Sequence, residues 1–293
     1  MSKHDVQCLW DLGAQLGEGP LWVAEEQRLY FVDLKSKTLH AFDSETGQRH
    51  AWEMPDYVCW LIARADGDGF MAGLRHGIAR VWLEPELRIE YIAHPFAPGS
   101  DLRLNDAKVD HQGRIWAGSM HNTDYAQAVG ALFLLDKDLS LTVADAGYHI
   151  CNGPTFSRDG ATMFHTDSFE GRIYAYPLAA DATLGEPRVW RQFAEGEGSP
   201  DGMTVDSEGC VWVAQWGGGR VCRYSPDGDL LETIRVPVRN PASCTFGGPD
   251  FKTLFITTAS EDNTPEQLKE FPLTGGLFAV RVDVAGIPAA RFG

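Results

Sequence analysis

The sequence predicts an all-β fold, a six-bladed β-propeller with a central channel, from a repeat and from the strand pattern within it. Six segments begin alike at positions 18, 59, 105, 152, 201 and 242, which lie 41, 46, 47, 49 and 41 residues apart. A period in the forties with about four strands per unit is typical of propeller blades. Six such units fill the 293 residues. We therefore expect a single domain over residues 1–293.

Short strands are predicted throughout each repeat. Runs of β-branched and aromatic residues occur at 29–32, 114–118 and 210–214, and Gly-containing turns separate them from their neighbours. Residues 261–270 are the one stretch where a helical turn or two is expected. The segment 6–10 precedes the first full repeat, and we expect it to supply a strand to the last blade. Such a strand would close the ring and remove a free sheet edge.

Composition limits the classes of partner. A net charge of −16 argues against nucleic acid and anionic membranes, both of which need a basic surface. No apolar run approaches the length of a membrane helix, and the N-terminal residues lack the apolar region of a signal peptide. The six cysteines show no C-x-x-C pair, so we expect buried thiols. These features predict a cytoplasmic protein, and we expect a monomer.

The first residue of each repeat, at position 18, 59, 105, 152, 201 or 242, is here called the slot residue. The slot residues are the candidates for a functional site. Four of the six slots hold an oxygen-bearing side chain, namely Glu18, Asn105, Asn152 and Asp201. The first strand of each blade lines the channel of a propeller, so these side chains should meet at one end of it. Two carboxylates and two carboxamides suit a divalent cation such as Ca²⁺, Mg²⁺, Mn²⁺ or Fe²⁺. The alternative is that they only cap turns, as Asn-Gly and Asp-Gly pairs often do.

Further polar residues are expected near that end of the channel. Arg103 lies two positions before Asn105 and shares its side of an extended segment, so it is a candidate for holding substrate; a surface ion pair is the alternative. His121 follows a strand in a loop where it can contact substrate or simply be exposed. We expect hydrogen-bonding structural roles for His165 and Asp167 and an apolar wall from Trp216. A Cys151–His149 nucleophile pair is disfavoured, because no residue is predicted to orient the histidine.

Four separated motifs carry a resemblance to a known family. Leu-Gly-Glu18-Gly-Pro-Leu-Trp, Arg103-Leu-Asn-Asp, Cys151-Asn-Gly-Pro and Pro200-Asp-Gly-Met together resemble the SMP-30/gluconolactonase/regucalcin family over essentially the whole chain. Members are six-bladed propellers that bind one divalent metal, and most characterised members hydrolyse sugar lactones. The resemblance implies Glu18, Asn152 and Asp201 as metal ligands and Arg103 and Asn105 as substrate contacts. It also implies Asp201 as the general base.

One departure from the animal members bears on substrate. Animal regucalcins carry an acidic residue in the loop after the second strand of the third unit, where this chain reads Met120-His121-Asn122. This segment is more similar to the corresponding segment of bacterial xylonolactonases and arabinonolactonases. It favours a five-carbon aldonolactone as substrate over gluconolactone, with His121 as a substrate contact.

The resemblance implies a hydrolytic mechanism and leaves several choices open. Fe²⁺, Ca²⁺, Zn²⁺, Mn²⁺ and Mg²⁺ are all candidates for the cation. A carboxylate beside a dication is a poor base, so water activated by the metal itself is the alternative to Asp201. A metal-dependent phosphotriesterase is a second enzymatic reading of the same fold, because a fold does not determine an activity. A calcium-binding regulatory protein or an interaction platform is the non-enzymatic reading.

Overall fold

Six four-stranded antiparallel sheets form the part of the chain that the computed structural model describes, residues 5–293. In each of the first five blades, four consecutive strands follow one another from the channel outward. Blade 1 contains β2 (Gly17–Val23), β3 (Arg28–Asp33), β4 (Thr38–Asp43) and β5 (Arg49–Glu53); blade 2 contains β6 (Val58–Ala63), β7 (Phe70–Leu74), β8 (Gly77–Trp82) and β9 (Arg88–Ala93); blade 3 contains β10 (Leu102–Val109), β11 (Ile115–His121), β12 (Gly130–Leu135) and β13 (Leu141–Tyr148).

The second half of the chain repeats this order and then closes the ring. Blade 4 contains β14 (Cys151–Phe156), β15 (Thr162–Asp167), β16 (Arg172–Pro177) and β17 (Arg188–Gln192); blade 5 contains β18 (Ser199–Val205), β19 (Val211–Trp216), β20 (Arg220–Tyr224) and β21 (Leu230–Arg235); blade 6 contains β22 (Pro241–Gly247), β23 (Thr253–Thr258), β24 (Leu277–Arg281) and, from the N-terminus, β1 (Gln7–Trp10). A 3₁₀ turn spans Ala24–Glu26, and the helix α1 spans Pro265–Glu270. The predicted six-bladed propeller and the short helix are confirmed.

The ring closes as predicted. Strand β1 pairs antiparallel with β24, with Gln7 opposite Ala279 and Cys8 opposite Phe278. The innermost strands contact one another in sequence, from β2 through β6, β10, β14 and β18 to β22, and β22 contacts β2. Because the last blade combines strands from both ends of the chain, the ring is held shut by backbone hydrogen bonds rather than by side-chain packing alone.

Burial decreases from the channel outward. Every residue of β6, β14 and β22 is buried, whereas β5 alternates between exposed and half-buried residues. Aromatic side chains fill the spaces between blades, and Trp60, Trp116 and Trp212 are all fully buried. Inner strands are therefore largely buried even where they carry polar residues, as β10 and β18 do, whereas the outer strand β5 shows the period-2 pattern of a half-exposed surface.

A repeated aspartate turn links the first two strands of blades 3 and 5. Asp110 accepts hydrogen bonds from the backbone N–H of Arg114 at 3.0 Å and from Trp116 Nε1 at 2.9 Å. Asp206 makes the equivalent bond to Trp212 Nε1 at 2.8 Å. Gly113, within the first of these turns, has a φ of +82°, which favours glycine. The turn signals in the sequence thus also position the tryptophans that separate neighbouring blades.

The cysteines occur as free thiols that are mostly buried. All six cysteines are free thiols, and five of them are buried as expected, whereas Cys8 on β1 is only half-buried. Burial raises the pKa of the Cys59 thiol to about 12, which keeps it protonated at neutral pH.

Within residues 5–293, no helix has the length and apolar character needed to cross a membrane.

Candidate metal and substrate site

A cavity of about 260 Å³ lies at the end of the channel where the inner strands begin. Its polar wall consists of nine residues, Glu18, Arg103, Asn105, Asn152, Ser168, Ser199, Asp201, Glu261 and Asp262. Its apolar wall consists of Leu16, Met120, Tyr125, Ile150, Phe169 and Trp216. The structure therefore brings together all four oxygen-bearing slots with Arg103, and it places Trp216 in the wall as predicted.

Every inner strand carries a β-bulge at its slot residue. In β2, for example, the pairing moves from Glu18–Val32 to Leu21–Tyr30, so three residues on the inner strand oppose two on its partner. The same single-residue insertion occurs in β10, β14 and β18 at the other oxygen-bearing slots and in β6 and β22 at the remaining two. A β-bulge changes the direction of the side chains at the insertion, so the slot residue need not follow the alternation of side chains between the two faces of the strand. The turn-cap alternative is wrong, because the slots lie inside strands.

Glycines follow three of the slots because neighbouring inner strands approach closely there. Gly153, after Asn152, has a φ of +48°, and a Cβ atom on it would lie 2.8 Å from the Asp201 carbonyl oxygen. A Cβ atom on Gly202 would lie 2.0 Å from Ser243 Oγ. Both distances are too short for non-bonded atoms, so the Asn-Gly and Asp-Gly pairs are packing requirements of the ring.

Hydrogen bonds hold the two carboxamides in one orientation. Asn105 Nδ2 donates to Asn152 Oδ1 at 2.7 Å and to the Cys151 carbonyl at 2.8 Å. Asn152 Nδ2 donates to Ser168 Oγ at 3.0 Å, and Ser168 Oγ donates to the Pro200 carbonyl at 2.7 Å. Both hydrogens of Asn105 are used, and one lone pair of Asn152 Oδ1 stays available for a cation.

Arg103 is buried and oriented by the same network. Its side chain lines the cavity, the residue is only 3% exposed, and Nη1 donates to Asn105 Oδ1 at 2.6 Å and to the Leu104 carbonyl at 3.0 Å. The surface ion-pair alternative for Arg103 is therefore wrong. A contact between Arg103 and substrate stays a prediction.

Three carboxyl groups share the channel without enough cationic partners to offset their burial. Burial, followed by the charge of Asp106, raises the pKa of Glu18 to about 8. Burial and the charges of Glu18 and Asp106 raise the pKa of Asp201 well above its usual value, and burial raises that of Asp106. Among the described residues, the buried Asp201 Oδ1 has no hydrogen-bond partner. Each ionised carboxylate is costly here unless a cation compensates it.

The donor set therefore fits a hard divalent cation. Glu18 and Asp201 supply carboxylate oxygens, and Asn152 supplies a carboxamide oxygen, the ligand types that Ca²⁺, Mg²⁺ and Mn²⁺ take. Within residues 5–293, no three His, Cys, Asp or Glu side chains come together as metal ligands, so the candidate centre depends on Asn152. The unpartnered Asp201 Oδ1 is the observation that a cation at this position would explain.

His121 does not reach the cavity. It is the last residue of β11, and its Nδ1 accepts hydrogen bonds from the backbone N–H of Thr123 at 3.3 Å and of Asp124 at 2.9 Å. Met120 and Tyr125, on either side of it, line the cavity instead. Side chains alternate along a strand, so the one-residue difference between Met120 and His121 reverses the face. The predicted contact between His121 and substrate stays a prediction that these bonds do not support.

The predicted hydrogen-bonding role is seen for Asp167 but not for His165. Asp167 accepts from the backbone N–H of His149 at 3.0 Å and from its ring Nδ1 at 3.1 Å. The buried ring of His165 has no hydrogen bond at either nitrogen among the described residues and packs edge-on against Tyr148. Burial lowers the pKa of His165 to about 4, so the ring is neutral.

The expectation that nothing orients His149 is wrong, since Asp167 holds it. The nucleophile reading of Cys151 nevertheless fails. Its thiol points to the Ala131 carbonyl at 3.6 Å, and burial raises its pKa far above the usual range. A thiol that stays protonated in an apolar environment is a poor nucleophile.

Asp106 and Ser168 are among the polar residues of the channel that the sequence did not predict. Asp106 accepts from the backbone N–H of Gly153 at 3.0 Å, which links blades 3 and 4. It lines a second cavity, of about 200 Å³, together with residues 287–290. The signal for Asp106 was its place next to the slot residue Asn105, and the signal for Ser168 was its place next to Asp167.

Comparison with known proteins agrees with this fold and identifies the family. The sequence profile described as SMP-30/Gluconolactonase/LRE-like region matches residues 16–260, and the chain belongs to this family. It is 37% identical to a 6-deoxy-6-sulfogluconolactonase of Pseudomonas putida over 99% of both chains. It is 34% identical to a pentonolactonase of Haloferax volcanii over 96% of both chains. A solved luciferin-regenerating enzyme superposes with a TM-score of 0.92 at 29% identity, covering 99% of each chain.

Proposed function

We propose that this protein is a lactonase that hydrolyses a sugar aldonolactone to the aldonic acid with one divalent cation bound by Glu18, Asn152 and Asp201. Lactonase relatives that align over nearly the whole chain support the reaction class. The single observation that supports the cation is the buried Oδ1 of Asp201, which has no hydrogen-bond partner among residues 5–293. Glu18 lines the same cavity, and burial, followed by the charge of Asp106, raises its pKa to about 8. The apolar wall beside these groups suits the carbon skeleton of a small ring.

The chain's own residues account for binding and proton transfer. When bound, the cation supplies Lewis acidity that polarises the lactone carbonyl. Arg103 and Asn105 orient the substrate hydroxyls, and Asn105 also holds Asn152 in position. Asp201 accepts a proton from the attacking water. The water oxygen bonds to the carbonyl carbon, the ring C–O bond breaks, and the ring oxygen leaves as a hydroxyl after taking up the proton.

We assign a five-carbon lactone as the preferred substrate. The Met120-His121-Asn122 segment supports this assignment, because it is more similar to bacterial pentonolactonases than to animal regucalcins. Similarity to the pentonolactonase of Haloferax volcanii is consistent with it. Similarity to the 6-deoxy-6-sulfogluconolactonase of Pseudomonas putida favours a six-carbon lactone instead.

The test is a lactone panel on chelator-treated protein. Hydrolysis of D-xylono-, L-arabinono- and D-glucono-lactones would be followed after adding back Fe²⁺, Mn²⁺, Zn²⁺, Mg²⁺ or Ca²⁺, with spontaneous ring opening subtracted. We expect cation-dependent turnover, highest with a pentonolactone. Tight cation binding with no turnover of any lactone would overturn the proposal. An organophosphate ester assayed in parallel would then identify a phosphotriesterase, and inactivity towards both would favour a regulatory protein.

A further inference from the structure

Phe169 is an exposed aromatic residue in the wall of the candidate site. It lines the 260 Å³ cavity, yet 51% of its surface is accessible, which is unusual for a phenylalanine. It directly follows Ser168, whose hydroxyl accepts the hydrogen bond from Asn152 Nδ2. Phe169 is therefore attached to the same turn that orients a candidate metal ligand.

The ring of Phe169 stacks on the ring of a histidine, His149. The rings of His149 and Phe169 stack with centroids 4.7 Å apart and an interplanar angle of 20°. His149 Nδ1 donates to Asp167 Oδ2 at 3.1 Å, and the backbone N–H of His149 donates to the same oxygen at 3.0 Å. Asp167 is 3% exposed and is further bonded by the backbone N–H of Ile150 at 3.4 Å. A buried carboxylate thus holds the imidazole, and the imidazole holds the phenyl ring.

Exposing the apolar ring of Phe169 to water is unfavourable, and ordinary packing would bury it. An exposed phenylalanine on a turn would normally fold down on neighbouring apolar surface. Stacking on an oriented imidazole keeps the ring at the cavity wall, with half of its surface accessible. Preorganised apolar surface of this kind lowers the entropic cost of binding a ligand.

We infer that Phe169 is a substrate-contacting, specificity-determining residue, against which the C–H face of the lactone ring packs, and that His149 and Asp167 are its positioning residues. The inference rests on the proposed lactonase function. Sugar rings present hydroxyls at their edges and C–H groups on their faces. Arg103, Asn105 and Asp201 supply the polar contacts for the edges, and Phe169 supplies the apolar surface for a face.

Phe169→Ala is the primary test, with kinetics on the best lactone and the best cation. We expect KM to rise about three- to tenfold, with kcat changed less than about twofold, because a contact made equally in the ground and transition states acts on KM. Phe169→Trp retains a ring and should stay near the wild-type KM. Cation affinity, measured by titration of chelated protein, should be unchanged in both variants. Tyr91→Ala is the matched control, since Tyr91 is 46% exposed on the outer strand β9 of blade 2.

The positioning role of His149 is tested separately. His149→Ala should raise KM in the same direction as Phe169→Ala. His149→Phe keeps a ring for stacking but loses the bond to Asp167, so it should restore KM only in part. An unchanged KM in Phe169→Ala with normal wild-type turnover would overturn this inference and leave the lactonase proposal intact. Absence of turnover in the wild-type protein would instead overturn the proposed function itself. A raised KM in Phe169→Ala with no change in His149→Ala would overturn the positioning role alone.

Discussion

At the scale of single residues, the site is a set of oxygen atoms whose orientation matters more than their number. Asn152 can offer its Oδ1 to a cation only because its Nδ2 is held by Ser168 and its oxygen side by Asn105. Asp201 lies in the same cavity with one oxygen unpartnered. Two predictions belong to this scale.

Asp201→Asn tests the catalytic assignment. The variant keeps the size of the side chain but removes its charge and its ability to accept a proton, so we expect kcat/KM to fall about 10²- to 10⁴-fold. Steady-state hydrolysis of the preferred lactone measures the loss, and circular dichroism checks the fold. The exposed-turn variant Asp138→Asn should retain full activity. Activity within threefold of wild type in Asp201→Asn would remove Asp201 from the mechanism.

Ser168→Ala tests the orientation of Asn152. Loss of the hydroxyl leaves Asn152 Nδ2 without its acceptor, and supporting bonds of this kind are typically worth about 10- to 100-fold in metal affinity. We expect cation affinity to fall by about tenfold in titrations of chelated protein. Ser36→Ala, in the exposed turn between β3 and β4, serves as the control. Equal affinities in Ser168→Ala and wild type would show that Asn105 alone holds the amide.

At the scale of secondary-structure elements, the site depends on the β-bulges of the inner strands. Each of the six inner strands carries one extra residue at the slot, and the four oxygen-bearing slot residues line the cavity. The neighbouring inner strands lie so close that glycine follows three of the slots. Bulge and glycine together let two carboxylates and two carboxamides converge without breaking the ladders.

Gly202→Ala tests this close approach. The new Cβ atom would lie 2.0 Å from Ser243 Oγ and 2.8 Å from Ser243 Cα, so either β18 or β22 must shift. We expect the free energy of unfolding to fall by about 1–3 kcal/mol, as measured by urea denaturation. Ser243→Gly in the same background should recover part of the loss, with Ser243→Gly alone as the reference. A Gly202→Ala protein as stable as wild type would mean that the strands yield at no cost.

At the scale of the whole molecule, the ring concentrates negative charge in its channel and so couples stability to protons and to cations. Glu18 has a pKa of about 8 in the folded protein and 4.5 as a free side chain. Between these values, the folded protein holds a proton on Glu18 that the unfolded chain has lost. The free energy of unfolding should therefore decrease as pH rises from about 4.5 to about 8.

Thermal unfolding of chelated protein between pH 5 and pH 8 tests this coupling. We expect the Tm to fall with rising pH, and we expect an added cation to raise Tm more at pH 8 than at pH 5, because the cation competes with the proton. The difference between wild type and Glu18→Gln isolates this group from other titrating residues. A Tm difference between the two proteins that does not change with pH would contradict the assigned pKa.

Much of this architecture can be predicted from the amino-acid sequence. The repeat period and the period-2 strands indicate six blades, and the position of residues 6–10 indicates closure by the N-terminal strand, because these features depend on local pattern and chain length. The slot residues follow from the same alignment, since equivalent positions of a radial repeat must meet at the axis. The four motifs predict the family, and the sequence profile over residues 16–260 confirms it.

Other features depend on contacts between blades, which no local pattern records. His121 and Met120 differ by one position, and only the register of β11 decides that Met120 lines the cavity. Asp106 and Ser168 act through partners 47 and 16 residues away in the chain, Gly153 and Asn152. Phe169 looks in the sequence like any core aromatic, yet its stacking on His149 leaves half of it exposed. Local pattern thus predicts which residues reach the axis, whereas long-range packing decides their orientation, their protonation and the wall that substrate meets.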